Sequence, residues 1–221
     1  MILAAGRGER MRPLTDSIPK PLLEVAGLPL IGHTLKRLAL AGCQRVVINC
    51  AHLGEQLPAT LGTGHHYGLQ IQYSHESIAL ETAGGIIQAM PLINAEQFVL
   101  INGDIWCEHP IAPLFDLDLQ RDLAHLVMVP NPPQHPYGDF CLTRGRLSTK
   151  PHAETPGVTY SGLGLYSEKM FRGIAEGFRP LRPLLDNAMS QQRLSGELFT
   201  GEWRDIGTPQ RLAELNAALM G

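Results

Sequence analysis

The sequence predicts a single α/β domain over residues 1–221, with a mixed, mainly parallel central sheet flanked by helices. Three observations lead there. Short apolar runs without polar alternation, at 2–5, 45–50 and 98–101, are the pattern of strands buried on both faces. Stretches of helical spacing fall between them, and a strand–helix succession builds a sheet covered on two sides. At 221 residues, with 44% hydrophobic and 18% charged content, the chain can form one substantial core but not two full-sized ones.

The elements follow in order. Ile2, Leu3, Ala4 and Ala5 form the first buried strand, which gives way at Gly6 to a loop carrying Gly8, Arg10, Arg12 and Lys20. Residues 22–25 make a short strand, and the turn 26–29 leads into a helix marked by Leu30, Ile31, Leu35, Leu38 and Ala39 and closed by Gly42. A core strand at 45–50, a short helix at about 54–61 and an alternating strand at 69–73 come next. Thr82 reads as the cap of a helix that continues through 86–90. The run 98–101 is a central strand ending in Asn102-Gly103-Asp104, and further strands are expected at 124–129 and 159–166. Thr208 and Pro209 open a last helix, packed down by Leu212, Leu215 and Leu219.

Composition excludes several functions. A formal charge of -3 gives no basic face for nucleic acid. No apolar stretch is long enough for a bilayer and no signal-peptide pattern precedes the first strand, so a cytoplasmic protein is expected. Cys43, Cys50, Cys107 and Cys141 form no Cys-x-x-Cys pair and read as packing residues; the nine histidines lack the spacing of a zinc helix.

The opening loop suits phosphate. Gly6 and Gly8 let the backbone turn and present N–H groups to an anion, Arg10 and Lys20 add full positive charge, and Pro19 and Pro21 stiffen the chain around Lys20. It is neither a P-loop, which needs Gly-Lys-Ser/Thr, nor a dinucleotide fingerprint, which needs a glycine where Met11 stands. Farther on, Glu76 offers a carboxylate that can accept the N3–H of uracil or, equally, the N1–H and N2–H of guanine. Asp104 sits at the tip of the central strand, where a hard-cation ligand would be well placed.

Gly-x-Gly-x-Arg, Pro-Leu-Thr and Pro-Lys-Pro-Leu within residues 6–22 together resemble the signature of the sugar-1-phosphate nucleotidyltransferases. The likeness runs nearly end to end and implies a Rossmann-like, GT-A-like core acting alone as a monomer. Its substrates would be a nucleoside triphosphate, UTP, and a sugar 1-phosphate, with Mg²⁺ as cofactor. By the resemblance Ala5, Gly6, Gly8, Glu9 and Arg10 hold the triphosphate, Lys20 faces the reacting phosphates, and Glu76, Thr82, Gly84 and Asn102 complete the nucleotide site. Trp203-Arg204-Asp205-Ile206-Gly207-Thr208 resembles the element that brings a second metal-binding aspartate, so Asp104 and Asp205 would carry the Mg²⁺. Asp139, Ser161, Gly162 and Glu197 would contact the sugar phosphate. Lys150-Pro151 resembles a Glu-Lys-Pro element of hexose-1-phosphate members, but Thr149 replaces the glutamate. Small uridylyltransferases of cell-wall salvage are the nearest branch, guanylyltransferases the alternative, and a nucleotide-sugar sensor without turnover the alternative of another class.

Overall fold

The computed structural model describes residues 1–150 and 154–220. Nine strands form one sheet. They are β1 (Ile2–Leu3), β4 (Arg45–Cys50), β5 (Gln70–His75), β6 (Gln97–Asn102), β8 (Ala124–Val129), β9 (Cys141–Thr143), β10 (Arg146–Ser148), β11 (Thr159–Ser167) and β12 (Leu194–Leu198), in the order β5-β4-β1-β6-β11-β8-β12-β10-β9. The β5-β4-β1-β6 half is parallel throughout, whereas β11 runs antiparallel to both β6 and β8. Two small ribbons stand apart: β2 (Glu24–Val25) with β3 (Leu28–Pro29), and β7 (Ile105–Cys107) with β13 (Trp203–Asp205).

The lack of alternation in the strand sequences has a direct structural result. Val46 and Ile48 pack on one face of β4 and Val47 on the other; in β6, Val99 and Ile101 oppose Phe98 and Leu100. Helices α1 (Leu30–Leu40), α2 (Gln56–Leu61) and α4 (Ala112–Asp116) cover the first face through Leu35, Leu38, Leu57, Leu61 and Leu114. Helices α3 (Glu81–Ile93) and α5 (Arg182–Ser190) cover the second through Ala83, Ile86, Ile87, Leu185 and Met189. The last helix, α6 (Pro209–Met220), packs with Met11, Val25, Leu30 and Ile206 in a smaller cluster beside the sheet.

Several sequence expectations shift. The predicted strand at 22–25 is shorter, because Lys20–Leu22 form a 3₁₀ turn closed by Leu22 N–H to the Pro19 carbonyl. Thr82 does not cap α3: the helix is entered at Leu80, and the N–H groups of Ala83 and Gly84 both donate to the Arg179 carbonyl. A carbonyl from a distant loop thus satisfies donors that a local side chain was expected to satisfy. The strands β7, β9 and β10 and the helix α4 are too short for a periodic signature, and α5, whose Leu185, Ala188 and Met189 do recur at helical spacing, went unread. Burial raises the thiols of Cys43, Cys50 and Cys107, that of Cys50 to about 11, which keeps them neutral and suits packing.

One buried polar pair ties the second face together. Tyr166 donates to the Tyr160 hydroxyl at 3.0 Å, and burial pushes both phenols above the usual tyrosine range. The folded chain therefore keeps protons that the unfolded chain releases above its ordinary value of 10.0. The stability this contributes is complete below about pH 10 and is lost as pH rises beyond it. Urea unfolding followed against pH should show the midpoint falling above about pH 10. Tyr160→Phe should cost about 1 kcal/mol at neutral pH, because Tyr166 loses its acceptor, and should flatten the alkaline fall.

Candidate active site

The carboxyl ends of β1, β4 and β6 open on one cavity of about 420 Å³, within the usual range of small-ligand pockets. Its phosphate-suited side is the opening loop. Gly8 adopts φ 68°, and a Cβ there would lie 3.1 Å from Thr15 and 3.2 Å from Lys20. Its carbonyl accepts from Thr15 Oγ1 at 2.9 Å and from Met11 N–H at 2.8 Å, which fixes the loop as one turn. Ala5, Gly6, Gly8, Glu9, Arg10 and Lys20 all line the cavity. Glu9 is ion-paired with Arg7 at 2.7 Å in solvent.

Lys20 is the only buried lysine or arginine among the described residues, and it is neutralised at once: its Nζ lies 2.6 Å from Asp104 Oδ2. That carboxylate stays about one-third exposed, open to the cavity. Asp205 arrives by a separate route. The ribbon of β7 and β13 pairs Asp205 with Ile105, and Ile206 N–H donates to the Asp104 carbonyl at 3.0 Å, so two residues 101 positions apart (205 − 104) become neighbours along the backbone. Arg211 of α6 holds Asp205 Oδ2 at 2.6 Å. Gly207 lines the cavity between them; a Cβ there would meet both Asp205 oxygens and the Arg10 guanidinium at 3.0–3.1 Å.

Among the described residues no group of three or more His, Cys, Asp or Glu side chains is placed to hold a metal ion. Asp104 lines the cavity and Asp205, joined to it through the ribbon, does not, although Gly207 beside it does; the donor chemistry nevertheless fits Mg²⁺, which is commonly held by one or two carboxylates with phosphate oxygens and water.

The far side of the cavity is a knot of neutral and anionic groups. Glu76, 6% exposed, accepts from Asn49 Nδ2 at 2.6 Å on Oε1 and from Leu80 N–H at 2.9 Å on Oε2. Asn49 Oδ1 in turn accepts from Ala4 N–H at 2.9 Å. Each Glu76 oxygen keeps a second lone pair. Thr82 and Asn102 line the same cavity, and so do Ala79, Glu81 and Phe178. Gly84 does not: it faces the Gly177 carbonyl, whose oxygen a Cβ would overlap. Gly85 leaves room for the same pair: a Cβ there would lie 2.5 Å from Glu76 Oε1 and 2.7 Å from Asn49 Nδ2. Asn49 carried no signal at all beyond being a polar residue near the end of a core strand.

The expected sugar contacts stand outside this cavity. Asp139 accepts from Tyr160 N–H at 2.7 Å and meets His135 Nε2 at 3.1 Å, bracing its own loop. Ser161 is buried in a bulge of β11, its Oγ accepting from Leu163 N–H; beside it Gly162, at φ 85°, packs on the Asn102 amide. Glu197 lies 3.1 Å from His109 Nε2 and 3.5 Å from His125 Nε2. Burial lowers the His125 imidazole, so that contact is mostly a hydrogen bond near neutral pH. Lys150 donates to the carbonyls of Tyr137 and Gly138, while Pro151 lies outside the described residues.

A sequence family described as Nucleotidyl transferase matches residues 1–220. The chain belongs to that family. It is 49% identical over 223 aligned residues to an N-acetylmuramate alpha-1-phosphate uridylyltransferase of Neisseria meningitidis, covering 98% of this chain and 96% of that protein. It is also 38% identical to a mannose-1-phosphate guanylyltransferase of Mycobacterium tuberculosis, of which it spans 64%. A solved putative glucose-1-phosphate thymidylyltransferase of Bacillus anthracis superposes with a TM-score of 0.85 at 23% identity, over 98% of this chain and 93% of that one, and shows the shared fold. The mixed, mainly parallel sheet flanked by helices is therefore the Rossmann-like architecture of the nucleotidyl transferases.

In this nucleotidyl transferase, Gly85→Ala should push the Glu76 carboxylate and the Asn49 amide out of place. A cost of about 1–3 kcal/mol is expected from overpacking. Urea unfolding would measure it, and calorimetric titration with a nucleoside triphosphate should show affinity weakened by more than the same substitution at the exposed Gly6, where a Cβ meets nothing within 4 Å.

Proposed function

We propose that the protein transfers a uridylyl group from UTP to N-acetylmuramic acid 1-phosphate, releasing pyrophosphate, as a Mg²⁺-dependent monomer in the cytoplasm that serves cell-wall precursor salvage. The observation that carries this reading is the 49% identity, end to end, with a uridylyltransferase of that substrate. The cavity supports it. Phosphate-suited backbone and cations lie at one side and a base-sized polar knot at the other, as a nucleotide held lengthwise requires. No helix among the described residues is long and apolar enough to cross a membrane.

The chemistry needs no covalent intermediate. A sugar-phosphate oxygen, already an anion, attacks the α-phosphorus in line with the departing pyrophosphate, and the protein's task is to bring two polyanions together. The opening loop from Ala5 to Arg10 would hold the triphosphate, and Lys20 would place its ammonium against the reacting phosphates. The Lys20–Asp104 pair fits this role, because a buried ammonium needs a counter-charge and the carboxylate supplies it until the substrate's own negative charge arrives. Asp104 and Asp205 would hold Mg²⁺, which when bound polarises phosphoryl oxygens and offsets their charge. Arg211 would keep the Asp205 carboxylate aimed from behind. Gly162 packs beside Asn102 of the cavity, while Ser161, Asp139 and Glu197, which do not line it, would meet the sugar phosphate by family resemblance alone.

The second reading is a guanylyltransferase acting on mannose 1-phosphate. It is favoured by the 38% identity to such a protein and by the Glu76 carboxylate, which suits guanine as well as uracil. A sensor without turnover is opposed by the joint presence of Lys20, Asp104 and Asp205.

Pyrophosphate release should be measured over UTP, GTP and dTTP against N-acetylmuramate, N-acetylglucosamine, mannose and glucose 1-phosphates. Turnover confined to UTP with N-acetylmuramate 1-phosphate is expected; turnover with GTP and mannose 1-phosphate selects the second reading. Asp104→Ala and Asp205→Ala should each lower kcat by at least about 10³-fold while circular dichroism stays unchanged, in line with the loss of a group that stabilises transition-state charge.

A further inference from the structure

Phe178 is an aromatic side chain left 66% exposed, and it nevertheless lines the nucleotide cavity. The loop that carries it is not loose. Arg179 N–H donates to the Leu80 carbonyl at 2.9 Å, the Arg179 carbonyl accepts from Ala83 and Gly84 N–H at 3.0 and 3.1 Å, and Arg179 Nε donates to the Ala175 carbonyl at 2.7 Å. Two glycines make the approach possible. Gly177, at φ 123°, turns the chain just before the ring, and Gly84 lacks the Cβ that would overlap the Gly177 carbonyl. Leu80 is the hinge of the arrangement: its carbonyl holds the Phe178 loop while its N–H holds Glu76 Oε2. The ring is thereby anchored through one residue to the carboxylate expected to read the base.

An exposed phenyl ring gains nothing from water, and here backbone hydrogen bonds fix it at the rim of a polar pocket. We infer that Phe178 supplies a stacking face for the nucleobase, so that Glu76 reads the edge of the base while Phe178 covers its plane. This rests on the nucleotide-transfer reading above and adds a binding residue to it. Stacking is tolerant of base identity, since every base presents a π-face. Phe178 accordingly sets the affinity for nucleotide, while selection between bases stays with Glu76. At the entry of α3 the Ala83 and Gly84 N–H groups are taken by the Arg179 carbonyl.

The test uses the full chain and three proteins: wild type, Phe178→Ala and Phe178→Trp. Phe178→Ala should raise the KM for UTP on the order of tenfold, within the range seen when a stacked aromatic is removed, with kcat within about twofold. The KM for any other accepted triphosphate should rise by the same factor. Phe178→Trp should restore the KM, and its fluorescence should be quenched by UMP but not by inorganic tripolyphosphate or sugar 1-phosphate alone. Wild-type protein, with Trp106 and Trp203 only, is the control for the native signal. An unchanged KM in Phe178→Ala overturns the inference, as does tryptophan emission insensitive to UMP. Quenching by tripolyphosphate would report a moving loop and quenching by sugar phosphate alone a sugar platform; either also overturns it. Wild-type silence with every triphosphate would defeat the transfer reading instead, and the UMP titration of Phe178→Trp would still decide the stacking.

Discussion

A carboxylate that is almost wholly buried must be hydrogen-bonded or it is expelled, and Glu76 meets that condition through partners drawn from two other parts of the chain. Asn49 donates to one oxygen and the Leu80 peptide to the other, while Asn49 itself is held by the Ala4 peptide. The chain of bonds runs from β1 to β4, to the segment after β5, and into the entry of α3. It fixes the spacing between the opening loop and the far wall of the cavity. Gly85 belongs to the same constraint, because any side chain there would occupy the space the carboxylate needs. Sheet order matters to the site chiefly because it puts β1 beside β4 and β5 beyond it.

Charge is arranged differently at the two sides. Near the loop, each acidic group expected to meet metal already has a cation, Lys20 for Asp104 and Arg211 for Asp205. The Lys20–Asp104 contact is half-buried, and its Coulomb attraction is opposed by the cost of desolvating both ions. Such a pair gives up little when a polyanion and its counter-ion replace the internal partner. Near Glu76 the partners are neutral donors, which fix the carboxylate without cancelling its charge. A rigid acceptor thus sits at one side and exchangeable ion pairs at the other.

How much of this the sequence revealed depended on distance along the chain. The parallel core was legible because buried strands show their burial as unbroken apolar runs, and the opening loop because its residues act within a single turn. Asp104 was marked by its place at the tip of a central strand and Asp205 only through family resemblance; the β7–β13 pairing that joins their backbones links three-residue strands with no periodicity of their own. Asn49 and Phe178 were missed for one shared reason, that their roles are defined by contacts across elements and no local pattern marks them. Thr82 was misread on local grounds: a threonine at a helix start suggests a cap, but the Arg179 carbonyl had taken the donors. Asp139, Ser161 and Glu197 are polar residues of the right kind whose atoms are engaged with Tyr160, Leu163 and the two histidines.

The β7–β13 ribbon also imposes an order in time. A ribosome delivers the strands β1, β4, β5 and β6 within the first 102 residues, so the parallel half of the sheet is available to fold early. Asp104 emerges with them, whereas Asp205 and Arg211 are translated about a hundred positions later. A nascent chain therefore displays a phosphate-suited loop with one carboxylate long before it owns the second. A chain stopped between Phe178 and Asp205 would carry every cavity-lining residue but Gly207 and would lack half of the proposed cation site.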